Sequence, residues 1–292
     1  MGTTKIKNIL SFDVEEWFVG LDPVLENWSL YPSRIVDELD LILNLLDKHN
    51  TKATFFILVD TIRNHEWILR RILDAGHEIA SHGVKHRFIY QQEPEEFKKD
   101  IKESIDYLEK VTGNKIRGYR APYFSINNKS LWALKIIEEI GLKYDSSVFP
   151  VFNHRYGIPE APRFAYKLQG SKLWEFPPAT GRIAGINIGL GGVYFRFLPF
   201  EFICKAVQKL NSDGYPAVFY FHPWEFDADQ PRLNCSPFLR IRHYKRLQKA
   251  FMRLEKLISL YSFGSFSEFI DNCNSKNIWK DTFISFCRPH IL

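Results

Sequence analysis

The sequence has few cysteines, and they lie far apart. Cys204, Cys235, Cys273 and Cys287 all fall in the C-terminal third, without the close pairs that zinc ribbons and disulfide-dense secreted domains show. We therefore expect these four residues to be reduced and structural.

Long apolar runs are also missing. No stretch of 18 uninterrupted apolar residues occurs, which predicts that no helix spans a membrane. Residues 1–10 carry two lysines but lack the apolar stretch that a secretory signal needs, and a strand-like segment follows directly. Together these absences predict a cytoplasmic protein.

Neither sign of charge dominates. The 292 residues include 39 Lys and Arg against 34 Asp and Glu, spread along the whole chain, so the net charge of +5 gives little support to nucleic-acid binding. The sequence is 45% hydrophobic and 15% aromatic, which is enough apolar material for one large core or two modest domains.

Short apolar runs alternate with segments whose apolar residues recur at helical spacing. The predicted strands cover residues 8–14, 53–59, 78–80, 116–119, 143–145 and 217–221. The predicted helices cover the segment that Ser33 opens and residues 62–73, 94–111, 130–140 and 200–210. This alternation favours a mainly parallel sheet with crossover helices, either an open doubly wound sheet or a barrel.

Two regions depart from the alternation. Residues 149–199 are rich in proline, glycine and aromatic residues, which predicts a loop-rich insertion of the kind that shapes a substrate groove. Residues 240–260 predict one basic helix. Its charged side is either a solvated outer face or a contact for phosphate groups of a lipid-linked substrate or a membrane surface.

Polar residues stand at the ends of five predicted strands. They occur in residues 11–17 (SFDVEEW), 81–86 (SHGVKH), 117–123 (RGYRAPY), 144–147 (YDSS) and 219–225 (FYFHPWE). The C-terminal ends of parallel strands converge on one edge of a sheet, where α/β enzymes bind their ligands. Each motif also has an ordinary interpretation, because strand-end carboxylates often face solvent or cap helices and paired histidines are often surface residues.

The first two segments together favour a metal site. In extended backbone Asp13 and Glu15 project on the same side, while Glu16 faces away. His82 and His86 can bind one cation on a helical turn or across a tight loop. A carboxylate from another strand end would complete a set of two histidines and one carboxylate, with positions open for water and substrate.

The other three segments supply candidate acid and base groups. Arg120 is suited to hold a carboxylate bidentately, and a backbone N–H after Pro122 could stabilise an oxyanion. His222 is the candidate general acid, and Asp145 is the carboxylate expected to raise the pKa of that histidine.

In this order, the five segments resemble the motifs of the polysaccharide deacetylase superfamily, carbohydrate esterase family 4, and they span residues 13–222. The resemblance implies an α/β fold, a distorted seven-stranded (β/α) barrel. It implies a single catalytic domain over residues 1–292, with the insertion at about 149–199 and a C-terminal helical extension at about 225–292. The implied reaction is metal-dependent removal of an acetyl group from an N-acetylated sugar.

The resemblance also implies residue roles. Asp13 is similar to the family's catalytic base, and Arg120 to the arginine that holds that base. His82 and His86 are similar to its metal-binding histidines, and Tyr123 matches the position whose backbone N–H faces the oxyanion.

At the acid, His222 matches the proton donor and Asp145 its partner. The first motif departs from the family pattern of two adjacent aspartates, because a valine follows Asp13. The metal carboxylate is then Glu15, as in branches that have Asp-Val-Asp or Asp-Val-Glu, with Glu16 left as the alternative. Zn²⁺ is the expected cation.

Further similarity, to a branch found with exopolysaccharide and surface-glycan biosynthesis, rests on residues 191–196, 222–225, 231–232 and 242–244. It implies a role in glycan assembly, with an N-acetylated sugar or glycan as the partner. Trp224 and Tyr194 are candidates for an apolar face beneath a sugar ring, although ordinary packing is the commoner role of such residues.

Two alternative functions stay open at this stage. One is a metal-dependent amidohydrolase that acts on a small amide or a formylated sugar. The other is a carbohydrate-binding relative that has lost catalysis. The sequence does not predict which sugar is bound, whether it is polymeric, lipid-linked or nucleotide-linked, or the oligomeric state.

Overall fold

The computed structural model describes residues 6–21, 25–153, 155–276 and 283–284. Its strands, in chain order, are β1 (Asn8–Val14), β2 (Thr54–Ile57), β3 (Glu78–Ser81), β4 (Gly118–Tyr119), β5 (Tyr144–Asp145), β6 (Tyr166–Leu168), β7 (Trp174–Glu175), β8 (Thr180–Ile183), β9 (Ile186–Gly189), β10 (Val218–Phe221), β11 (Phe263–Gly264) and β12 (Phe283–Ile284).

The helices alternate with the first strands and then follow them. They are α1 (Ile35–Lys48), α2 (Val59–Ile62), α3 (Trp67–Asp74), α4 (Pro94–Thr112), α5 (Trp132–Ile140), α6 (Gly192–Phe197), α7 (Phe200–Ser212), α8 (Pro237–Tyr244), α9 (Leu247–Leu260) and α10 (Phe266–Lys276). Short 3-10 turns form at residues Leu25–Leu30, Ile89–Gln91, Pro122–Phe124 and Pro223–Phe226.

The main sheet runs in the order β10–β1–β2–β3–β4–β5–β7–β6–β12. From β10 to β7, seven neighbouring strands of the described chain are parallel to one another. β6 is antiparallel to β7, and β11 pairs with the start of β1. This curled sheet with its crossover helices confirms the predicted α/β fold of the distorted (β/α) barrel type.

Strand β1 is an interior strand of the sheet, paired with β10 on one side and β2 on the other. All seven of its residues are buried, as expected for a parallel strand covered on both faces. Phe12 on this strand stacks on Phe55 of β2 at 5.2 Å, inside the large core between the sheet and its helices. Packing of β1 in this core fixes the position of the polar residues at its C-terminal end.

Local signals set the ends of α4, which follows the second histidine of the predicted pair. Pro94 occupies the first turn, and Glu93 and Glu96 form a reciprocal capping box. Gly113 ends the helix with φ 73°, a left-handed conformation that glycine adopts without steric cost.

Residues 149–199, predicted as a loop-rich insertion, contain β6 and β7, which extend the main sheet, and β8 and β9, which form a hairpin. Two predicted helices were wrong. The predicted helix over residues 62–73 is two helices, since α2 ends at Ile62 and α3 begins at Trp67. The basic segment 240–260 is also broken, because Arg246 has φ 66° between α8 and α9.

The C-terminal stretch is not purely helical, because β11 joins the main sheet beside β1. Residues 277–282 and 285–292, which include Cys287, lie outside the described residues, as do residues 1–5 of the predicted leader-free N-terminus. Among the described residues, no helix has the length and apolar character needed to cross a membrane.

Candidate active site

The C-terminal ends of β1, β3, β4 and β10 meet around one cleft of about 840 Å³, open mouth included. Seven of the ten predicted site residues line it: Asp13, Glu15, His82, His86, Tyr123, His222 and Trp224. The structure therefore brings together residues as far apart in the sequence as Asp13 and Trp224.

Glu15, His82 and His86 form the candidate metal centre. One ligand atom from each residue lies within 4.8 Å of the other two, and all three side chains are buried. Oε2 of Glu15 lies 2.8 Å from Nε2 of His86 and 4.0 Å from Nε2 of His82. No hydrogen bond of normal geometry within the described part of the chain satisfies this oxygen. A buried, unsatisfied carboxylate oxygen between two imidazoles fits a divalent cation.

The protonation of this set also suits a metal. Nδ1–H of His82 donates to the carbonyl oxygen of Arg120 at 2.7 Å, which leaves Nε2 of the ring free to coordinate. Burial lowers the pKa of His82 to about 4, so the imidazole is neutral near pH 7. Burial would raise the pKa of Glu15, but the charges of His86 and His222 outweigh it and hold that pKa well below its usual value.

Glu16 points away from the metal centre, as predicted for the next residue of an extended segment. Its carboxylate accepts from the hydroxyl of Ser33 and from the backbone N–H of Arg34, just before α1. Glu15, not Glu16, is therefore the carboxylate that faces the two histidines.

Asp13 and Arg120 form a buried ion pair beside this centre. Nη1 of Arg120 donates to Oδ1 of Asp13 at 2.5 Å and to the hydroxyl of Ser11 at 2.9 Å. Nε and Nη2 of the same guanidinium bond the carbonyl and the hydroxyl of Ser146. Its carbon also lies 4.1 Å from the ring centroid of Phe56. These contacts fix the guanidinium and hence the direction of the Asp13 carboxylate.

Tyr123 lies in a strained turn next to the histidines. It has φ 57° inside the 3-10 turn Pro122–Phe124, a region that non-glycine residues occupy at a cost. Its ring packs edge-on against His86 at 4.2 Å and stacks on Phe88 at 4.2 Å. Packing around the ring therefore holds an unusual backbone conformation whose peptide N–H was predicted to face the reacting group.

The predicted partner of His222 was wrong. Nδ1–H of His222 donates to Oε1 of Glu225 at 2.9 Å, and the backbone N–H of His222 reaches the same oxygen at 3.2 Å. Asp145 instead accepts from the backbone N–H and the hydroxyl of Ser147. The cause is local, because the 3-10 turn Pro223–Phe226 folds Glu225 back onto the residue that precedes the turn.

The surroundings of His222 favour its charged form. Burial would lower the pKa of the imidazole, but the charge of Glu15 and the hydrogen bond that the ring donates to Glu225 raise it to about 9. Nε2 of the ring points toward Oε1 of Glu15 at 3.5 Å. The side chain is 19% exposed, so a proton on Nε2 is reachable from the cleft.

Arg196 anchors Glu225 from behind. Its Nε donates to Oε2 of Glu225 at 2.9 Å, and its Nη atoms donate to the carbonyl oxygens of Arg242, His243 and Lys245. Arg196 as a whole is 2% exposed. Arg196 thus links α6 and the end of α8 to Glu225, the residue that contacts His222 in the cleft.

Neither aromatic residue predicted to bind sugar has an open face in the cleft. The indole of Trp224 is 8% exposed, stacks with His243 at 4.1 Å and His222 at 5.1 Å, and donates from Nε1 to Glu15. It positions the site residues rather than presenting a bare ring. The hydroxyl of Tyr194 lies 3.3 Å from that of Tyr156, and of these two residues Tyr156 lines the cleft.

The sequence predictions missed Glu225 and Arg196 as site residues. Both stand in segments whose branch similarity was noted, residues 222–225 and 191–196. A carboxylate three residues after His222 at a proline-initiated turn was the signal available for Glu225. No sequence signal paired it with an arginine 29 positions earlier.

Two segments of the chain match known protein families. Residues 34–144 match the family described as polysaccharide deacetylase, and residues 146–271 match a family described as a domain of unknown function (DUF3473). The peptidoglycan-N-acetylglucosamine deacetylase PgdA of Listeria monocytogenes serotype 1/2a (strain 10403S) is 31% identical over 101 residues, which cover 35% of this chain and 20% of that protein. The peptidoglycan-N-acetylglucosamine deacetylase of Bacillus cereus is 32% identical over 93 residues, covering 32% and 34%.

Solved structures show the same fold. A Mycobacterium smegmatis protein provisionally assigned as a polysaccharide deacetylase superposes with a TM-score of 0.63 at 19% identity, over 100% of this chain and 98% of that one. The peptidoglycan deacetylase PdaC of Bacillus subtilis gives a TM-score of 0.51 at 15% identity, over 95% and 96%.

Residues 34–144 therefore match the polysaccharide deacetylase family, and the chain has the fold of the two solved structures above. It spans only about a fifth to a third of the length of the two curated relatives above. His82, His86, Arg120 and Tyr123 fall within the deacetylase match, whereas His222 falls within the match of unknown function.

Proposed function

We propose that this protein is a metal-dependent hydrolase that removes the acetyl group from an N-acetylated sugar of a surface glycan or its biosynthetic intermediate. The observation that carries the proposal is the convergence of a two-histidine, one-carboxylate set, an arginine-held aspartate and a carboxylate-held histidine in one cleft. The curated relatives, whose names describe deacetylases of peptidoglycan sugars, support it.

Glu15, His82 and His86 would hold the cation, and Zn²⁺ suits two imidazoles with one carboxylate. When bound, such an ion acts as a Lewis acid and makes water nucleophilic near neutral pH.

Asp13 is the proposed general base. Its carboxylate accepts the proton of the attacking water, while Arg120 pairs with that carboxylate and orients it. Arg120 is fully buried and also bonds Ser11 and Ser146. These contacts hold its guanidinium in one position. The base is therefore preorganised before substrate enters.

The backbone N–H of Tyr123 is proposed to donate to the tetrahedral oxyanion. His222 then gives a proton to the nitrogen of the departing amino sugar, so that the C–N bond breaks and acetate and a free amine leave. Glu225 accepts from Nδ1–H of His222, which fixes the tautomer and directs the other nitrogen toward the cleft.

A role in glycan assembly belongs to the same proposal. It rests on the branch similarity of residues 191–196, 222–225, 231–232 and 242–244. Two of those segments contribute Arg196 and Glu225, which gives them a place at the acid end of the cleft.

Metal content and acetate release from N-acetylated glycans test the proposal together. The variant His82→Ala/His86→Ala is compared with the wild type and with His49→Ala/His65→Ala, which removes the same number of imidazoles outside the cleft. We expect near-stoichiometric metal and acetate release in the wild type and the control, and loss of both in the cleft variant.

Other results separate the alternatives. Bound metal without acetate release would redirect the search to formyl groups or small amides. A wild type that binds no metal, even after addition of Zn²⁺, would favour a carbohydrate-binding protein without catalysis.

A further inference from the structure

The charges that line the cleft do not balance locally. Its carboxylates already have partners: Asp13 pairs with Arg120, Glu225 with Arg196 and His222, and Glu15 with the histidines of the metal centre. Two more arginines, Arg155 and Arg242, line the same cleft.

Neither of these arginines has a carboxylate within 4.0 Å among the described residues. Arg242 is exposed on α8. Its carbonyl oxygen, and not its guanidinium, makes the hydrogen bond with Arg196. Arg155 is half-buried and lies over the rings of Phe88 and Tyr123, at 5.0 and 5.4 Å from their centroids. Stacking fixes the plane of a guanidinium and leaves its edge free to donate.

Both positive charges act on the same part of the cleft. Arg155, Arg242 and Tyr156 line the same cleft. Burial raises the pKa of Tyr156, and the charges of Arg155 and Arg242 each oppose that rise. Two positive charges near one phenol repel each other, and an anion bound between them relieves that repulsion.

We propose that Arg155 and Arg242 form a subsite for an anionic group of the substrate, a phosphate or a carboxylate attached to the N-acetylated sugar. The subsite rests on the proposed function, because it names the substrate class of that same cleft. A neutral N-acetyl sugar offers these guanidiniums only hydroxyls and carbonyls, whereas a phosphate or carboxylate accepts two parallel N–H bonds from an arginine.

The test uses three probes and four forms of the metal-loaded protein. The probes are N-acetylglucosamine, N-acetylglucosamine 1-phosphate and N-acetylmuramic acid, which are neutral, phosphorylated and carboxylated. The proteins are the wild type, Arg155→Gln, Arg242→Gln and the control Arg240→Gln. The control removes the same charge from α8, at a position that does not line the cleft. Calorimetry measures binding, and acetate release is assayed in parallel.

We expect at least one anionic probe to bind the wild type about tenfold more tightly than N-acetylglucosamine, since hydrogen bonds to charged groups are the strong ones. Arg155→Gln and Arg242→Gln should each lose most of that advantage, while Arg240→Gln keeps it. Raising salt from about 50 mM to about 500 mM should shrink the advantage in the wild type. The probe that is preferred identifies phosphate or carboxylate as the natural group.

Equal affinity of the wild type for neutral and anionic probes would overturn the subsite, and so would a loss in Arg240→Gln equal to that in the cleft variants. This outcome is distinct from failure of the proposed function. A protein that prefers anionic probes through both cleft arginines but releases acetate from none would keep the subsite and lose the deacetylase assignment.

Discussion

Glu225→Gln should slow the hydrolysis of an N-acetylated sugar while sparing an activated ester. Glutamine keeps the shape of the side chain but removes the charge that accepts from Nδ1–H of His222 at 2.9 Å. Hydrogen bonds to charged groups contribute about 1.5–3 kcal/mol. If the hydrogen bond with Glu225 makes this whole contribution to the stability of the transition state, its loss should lower kcat about 10- to 150-fold.

The assay that isolates this effect compares two leaving groups. An amino sugar leaves only when its nitrogen is protonated, whereas an aryl acetate expels a phenolate that needs no proton donor. Glu225→Gln should therefore lose activity on the amide and keep most of its activity on the aryl acetate. Thermal unfolding is measured as well, because Arg196 loses its charged partner, although three backbone carbonyls still hold the guanidinium.

Asp145→Asn is the matched control, since Asp145 is a buried carboxylate that contacts Ser147 and not His222. Its amide-to-ester activity ratio should stay at the wild-type value. The reasoning is refuted if Asp145→Asn changes this ratio as Glu225→Gln does, or if Glu225→Gln slows both substrates equally in a folded protein.

Three further predictions address the metal and the stability of the fold. Glu15→Gln should reduce the amount of Zn²⁺ that the protein binds at least tenfold, about the effect expected for a lost ligand. Glu16→Gln should leave Zn²⁺ binding unchanged, and equal metal loss in both variants would contradict the assignment of Glu15. Burial, with the charge of Lys52, lowers the pKa of His77 to about 4, so its contribution to stability is present above pH 6.5 and is lost as the pH falls toward 4. Urea unfolding measures the free energy of unfolding at pH 7 and at pH 5. Its decrease between these two pH values should be about 2 kcal/mol smaller in His77→Gln than in the wild type, and an equal decrease in both proteins would refute this. Gly118→Ala should lower the free energy of unfolding by about 3 kcal/mol or prevent folding, because its Cβ would lie 1.9 Å from the ring of Tyr144; a neutral result would contradict the close packing of β4 on β5.

Local sequence patterns determined much of the architecture and half of the site chemistry. The apolar run of β1 and the capping signals of α4 depend on neighbouring residues, so the bounds of both elements were predicted to within about one residue. The resemblance implied roles for Asp13, His82 and Arg120, and in the structure Arg120 forms an ion pair with Asp13.

Contacts between distant segments decided the rest. The sequence assigned Asp145 to His222 because both stand at strand ends, but which carboxylate reaches an imidazole depends on the path of the backbone after β10. That path turns back within three residues and selects Glu225. Arg196 then joins the site from a helix that periodicity had placed inside a loop. Local propensity cannot encode such a pairing, because it forms only when the sheet and the two halves of the chain pack together.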